Sequence, residues 1–189
     1  MRLVGVQNLI TQPIYDTVQL TAVAGQTVSF FSVPINGALT AAINKTYAHT
    51  NLVQGGRLEK GLELTIKGIS FAIRPTIAAG TAITLADYRG IYQASHLNFQ
   101  IGQVSVLRLP LHALPPANSE NQYFSNITPA ATEFASNHGL GSINNVLPIN
   151  PIVLEETETI QVDLFVGYTV AAVTDCTLFL WGDLTRPVR

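Results

Sequence analysis

Charge is what this chain has least of. Only 12% of its 189 residues are Asp, Glu, Lys or Arg, against about 25% in an average soluble domain. A freestanding monomer normally covers itself with ionic groups, so a surface this poor in charge is expected to be hidden by other subunits or to rest on something apolar. Cysteine is nearly absent too. The single Cys176 excludes an internal disulfide, and its place in an apolar run suits a buried, inert thiol better than a nucleophile. No basic run exists among the ten Lys and Arg, and the net charge is −2, which disfavours nucleic-acid binding through a polycationic arm. No apolar run reaches the roughly 18 residues of a membrane-spanning helix, and no stretch has the charged, apolar, small-residue order of a signal peptide.

Reactive constellations are lacking as well. His49, His96, His112 and His138 are far apart, and the H-x-H pair of a jelly-roll metal enzyme is missing. Glu155, Glu156 and Glu158 form an acidic turn without the Asp/Asn spacing of a calcium loop. There is no phosphate-binding glycine loop and no G-x-S-x-G elbow. The aromatics are not interleaved with basic residues, so no stacking platform for single-stranded nucleic acid is expected. The expectation is a non-enzyme with no cofactor, no metal and no catalytic residue.

What the chain does have is strand pattern, most clearly in LELTIKGISFAIR, residues 62–74. Leu62, Leu64 and Ile66 alternate with polar residues, the period of a strand with one buried face. After Gly68 the apolar set becomes Ile69, Phe71 and Ile73, having moved from even to odd numbers. A straight strand would turn the second set to solvent. One extra residue in a bulge returns it to the core, and Gly68 is the residue type that tolerates a bulge.

Around this strand the pattern predicts others at 26–33, 47–53, 96–101, 104–109, 151–154, 159–166 and 176–182, the last broken by Gly182. Residues 84–95 predict one helix, capped by Thr84, with Asp87 in the acidic capping-box position. Gly90 should cost that helix about 1 kcal/mol relative to Ala. Residues 1–25 read as an N-terminal arm with a candidate short strand around Val18–Val23, and 26–189 as one domain interrupted by a long loop at 110–150. That loop is rich in Pro and Asn but holds Tyr123, Phe124 and Phe134, so it is expected to order against a neighbour. About eight strands in two facing antiparallel sheets, with one short inserted helix, is an all-β jelly roll.

Thr50-Asn51-Leu52 leading through Gly55-Gly56 to the bent strand, the helix followed by ASHLNFQIG, the strand TIQVDLFV and the closing FLWGDLTRPVR carry a further likeness. The pattern of residues 46–189 resembles the jelly-roll major capsid proteins of small tailless icosahedral bacteriophages. The resemblance implies a structural protein that self-assembles into a virion shell. Its partners would be other copies of itself and other virion proteins, and it would be made in the host cytoplasm. Unlike many capsid proteins the chain has no basic arm, which suits a shell resting on an internal membrane or on another protein. Expected interface residues are Tyr123, Phe124 and Phe134 in the long loop, since large aromatic side chains are typical anchors, with Leu3, Ile10 and Tyr15 in the arm as a second patch. The competing reading is a carbohydrate-binding β-sandwich, a phage spike or lectin-like module, with Asn121, Tyr123, Asn126 and Asp183 as loop residues that contact sugar.

Overall fold

A computed structural model describes residues 7–75, 84–114, 122–125, 134–137, 146–171 and 173–187. The strands in chain order are β1 (Gln7–Thr11), β2 (Ile14–Leu20), β3 (Gln26–Phe30), β4 (Glu63–Pro75), β5 (Ser95–Ile101), β6 (Val104–Pro110), β7 (Gln122–Ser125), β8 (Phe134–Asn137), β9 (Leu147–Leu154), β10 (Ile160–Val166) and β11 (Thr174–Pro187), with helix α1 (Leu85–Ala94) between β4 and β5. One sheet runs β1-β11-β4-β9, with β2 also on β11, and the other β3-β10-β5-β6. Every pairing in them is antiparallel. The chain changes sheet at each connection except β1–β2, β5–β6 and β7–β8, and the result is a jelly roll.

Strand β4 holds its place by the expected phase slip. Trp181 of β11 faces Gly68 and Gly182 faces Ile66, so Lys67 is the extra residue on that side. Leu64, Ile66, Ile69, Phe71 and Ile73 are consequently all buried. The bulge thus lies at Lys67, one residue before the expected glycine. Gly182 does not break β11 as expected. It sits at the matching irregularity, where a Cβ would overlap the backbone of Thr65, so the absent side chain lets two backbones approach while the strand continues to Pro187.

Within the expected arm, residues 7–20 form two strands of the first sheet. β1 pairs with residues 183–187 of β11 and β2 with residues 174–180, so the two lie end to end along one edge, interrupted near Pro13. Val18 and Leu20 are buried in the core. The strand expected at 47–53 is also absent. Thr50 makes an isolated bridge to Asp16, and the Asn51 side chain accepts from Tyr15 N–H at 3.0 Å and donates to Pro13 C=O at 2.9 Å. A side chain therefore satisfies the β2 edge where a backbone ladder was expected. Strand β3 stops at Phe30 because Phe31 takes φ +65°. The expected 151–154 strand begins earlier, at Leu147, and its Pro148 and Pro151 are tolerated because β9 closes its sheet. The 110–150 segment is not structureless: β7 and β8 pair antiparallel within it.

The core lies between the sheets, with Phe30 edge-on to Phe71 and Phe71 edge-on to Tyr92 of α1, at centroid distances of 6.3 and 5.9 Å. Helix α1 closes one end through Ile91 and Tyr92. Thr84 caps it by accepting from Asp87 N–H at 3.0 Å, while the Asp87 carboxylate turns away to accept from Ala171 N–H at 2.9 Å. Gly90 has a packing reason: the Tyr168 ring lies where its Cβ would be. Gly90→Ala should therefore destabilise the protein by about 1 kcal/mol net, the overpacking penalty exceeding the gain in helix propensity. The sign should reverse in the Tyr168→Ala background, and urea midpoints of the two pairs check this.

Candidate functional site

Two features outside the hydrophobic core stand out, a buried ion pair and an open cleft. The ion pair begins with Asp16, whose position in β2 points inward beside Leu178. It is completely buried. Lys45 Nζ donates to both of its oxygens, at 2.7 and 2.8 Å, and Phe31 N–H donates to Oδ2 at 2.6 Å. Burial raises the Asp16 carboxyl above its ordinary range, opposed by the Lys45 charge and by hydrogen bonds from Lys45, Phe31 and Thr50. A bulky residue at positive φ costs about 1–2 kcal/mol. The Phe31 N–H bond to Asp16 offsets part of that cost. The pair ties the long β3–β4 connection to β2. It is an architectural clamp, since both charges are enclosed.

The cleft, of about 520 Å³, opens where the bulge crosses the first sheet. Thr11, Lys67, Gly68, Trp181 and Asp183 line it, together with Val146 and Pro148 at the start of β9. The Trp181 indole N–H donates to Ser70 Oγ at 2.7 Å, and the ring stacks on Phe179, which in turn packs on Tyr15. Lys67 and Asp183 pair at the rim, and Thr11 Oγ1 donates to Asp183 Oδ1 at 3.0 Å. The hydrogen bond from Lys67, then that from Thr11, holds the Asp183 carboxyl below its usual range.

The expected interface residues are scattered. Ile10 lies on β1 and is 41% exposed. Tyr15 is half-buried, its ring on Phe179 and its hydroxyl donating to Tyr47 C=O. Tyr123 and Phe124 sit on β7 and Phe134 on β8, where Ser125 faces Phe134. Their side chains, like Leu3, Asn121 and Asn126, lie outside the described residues. Of the residues expected to touch sugar, the structure places Asp183 at the cleft. The other cleft residues were missed because their juxtaposition depends on the pairing of β1, β4, β9 and β11; the phase slip at Lys67–Gly68 was the available signal.

Among the described residues no group of three or more His, Cys, Asp or Glu side chains could hold a metal. His96 stacks on Phe165 at 4.7 Å, and the His49 ring bonds back to Thr46. Glu158 accepts from Glu155 N–H within its own loop, and Glu156 accepts from Gly61 N–H, tying that loop to the segment before β4. Cys176 is fully buried, and burial pushes its thiol far up.

Apolar side chains are exposed on the outermost strands. Val104 and Val106 of β6 are 65% and 42% exposed, and Val153 of β9 is 48% exposed. Each strand is the last of its sheet. Val106 is the extra residue of a bulge, since Leu107 faces Phe99 and Ser105 faces Gln100. Among the described residues only two ion pairs form, Lys45–Asp16 and Lys67–Asp183. No protein-family model, curated protein or solved structure matches the chain.

Proposed function

We propose that this chain is a non-enzymatic structural protein, the jelly-roll subunit of an icosahedral bacteriophage shell, which assembles with copies of itself and with other virion proteins. The observation that carries the reading is the exposure of Val104, Val106 and Val153 on the strands that end the two sheets. Isolated Val side chains at a surface are ordinary. A set of them on sheet-ending strands, in a chain with 12% charged residues, is what contact between subunits requires. The mechanism is geometric. A stiff two-sheet core keeps its shape while its flanks are covered by repeated heterologous contacts around symmetry axes. Apolar burial supplies about 25 cal/mol per Å², less the cost of ordering, spread over many contacts. With no basic run in the sequence, the inner surface is suited to a membrane or another protein in preference to naked nucleic acid.

Electron microscopy of the purified full chain tests the proposal, with closed particles or regular capsomers as the expected result. The double substitution Val104→Lys with Val106→Lys should suppress assembly and leave the urea midpoint close to the parent's, because both side chains already face water. A monodisperse monomer at high concentration, under conditions where the fold is intact, overturns the reading.

A further inference from the structure

We propose that the cleft at the bulge is a binding site for a neutral saccharide, with a pyranose ring lying against Trp181 and its hydroxyls bridging Lys67 and Asp183. The inference does not depend on the shell reading.

The size fits first. A space of about 520 Å³ falls within the roughly 300–1,000 Å³ of small-molecule sites, which combine apolar walls with a few convergent polar groups. The aromatic wall is held in place: Ser70 engages the indole N–H and Phe179 backs the ring. Holding the ring beforehand reduces the ordering cost on binding. Gly68 and Gly182 line the space beside it with backbone, while Val146 and Pro148 add apolar wall. A pyranose has one apolar C–H face suited to an aromatic surface and a rim of hydroxyls that both donate and accept.

The rim chemistry selects against other ligands. Lys67 has three ammonium hydrogens and is 54% exposed, and Asp183 supplies carboxylate lone pairs. Their charges sum to zero, so neither an anion nor a cation gains net attraction there. A purely apolar ligand would strip water from the pair without replacing its hydrogen bonds. A vicinal diol satisfies both groups, accepting from Lys67 and donating to Asp183.

Trp181 is the only tryptophan in the chain, so its fluorescence reports on the cleft alone. The full-length protein is titrated with methyl β-glucopyranoside, methyl α-mannopyranoside and N-acetylglucosamine, with glycerol as the control. The expected result is a saturable change in Trp181 emission with at least one pyranoside and none with glycerol. Asp183→Asn and Lys67→Ala, which keep the reporter and leave the core untouched, should each weaken that response about tenfold, the loss of one charge-assisted hydrogen bond. Three outcomes overturn the proposal. One is no saturable response to any of the three sugars, and another is an equal response to glycerol. The third is an emission change that follows protein concentration without sugar, which would make the cleft a contact between copies. Particle formation by microscopy is scored separately, so failure of this site and failure of the shell reading are distinguishable.

Discussion

Deleting Lys67 should abolish the cooperative fold, although the residue is exposed and its substitution should be mild. Leu64 and Ile66 precede Lys67 and Ile69, Phe71 and Ile73 follow it, all buried on one face. That is possible because one residue of β4 is unpaired against β11 at this point. Removing it restores strict alternation, and one of the two sets must then turn to the opposite face. The downstream set is locked into the aromatic cluster through Phe71, so Leu64 and Ile66, with half-buried Leu62, would be displaced. At about 1.5–3 kcal/mol for each large apolar side chain, the loss approaches the whole stability of a domain, about 5–15 kcal/mol. Near-UV circular dichroism and urea unfolding should show no cooperative transition for the deletion variant. Lys67→Ala keeps the chain length and loses only an exposed, screened ion pair, so its midpoint should remain near the parent's. If the two variants behave alike, the phase-slip account of β4 is wrong.

Lys45→Met should produce the next largest effect, a loss of about 3–5 kcal/mol at neutral pH, because it leaves the Asp16 carboxylate enclosed without its counter-ion. Asp16 also receives Phe31 N–H, so the damage should reach the end of β3. Adding Asp16→Asn removes the stranded charge while keeping an acceptor for Phe31, and the double variant should recover much of the loss. The pH dependence has a definite sign. Burial already raises the folded-state pKa of Asp16 despite Lys45; without Lys45 it rises further. A carboxyl whose folded pKa lies above the unfolded value of about 3.9 contributes stability at pH below that value, and this contribution is lost as pH rises through the folded pKa. The deficit of Lys45→Met relative to the parent should therefore be small in acid and grow towards neutrality. Urea midpoints of both proteins across that range decide the matter, and a deficit that is constant with pH would show that Asp16 is not the group left unpaired.

Much of the architecture could be read from local pattern. The two phases of β4 around Gly68, the alternation of Leu97, Phe99 and Ile101, and the Thr84 cap before α1 each signal their element from adjacent residues, because alternation and capping are properties of neighbours in the chain. Elements that depend on distant partners were misread. β1 and β2 are mildly apolar and interrupted near Pro13, and they become strands only because β11 pairs with β2 along residues 174–180 and continues beyond Gly182 to pair with β1. Thr50-Asn51 looked like part of a strand and is a side-chain cap on β2. Gly90 looked like a local weakness in a helix and is the seat of the Tyr168 ring.

The candidate site follows the same division. Trp181 and Asp183 are neighbours in β11, but nothing in one dimension places Thr11, Lys67 and Val146 beside them, and no local pattern marks Lys45 as the partner of Asp16. The amino-acid order alone determined the β class, the bend in β4 and a composition short of charge, since these follow from the identity and spacing of residues along a single strand. Strand order, the buried Asp16–Lys45 clamp and the Trp181 cleft were decided only by tertiary structure. Each is made by segments far apart in the chain, and neither the closeness of two charges nor the shape of a cavity exists until the sheets have paired and packed.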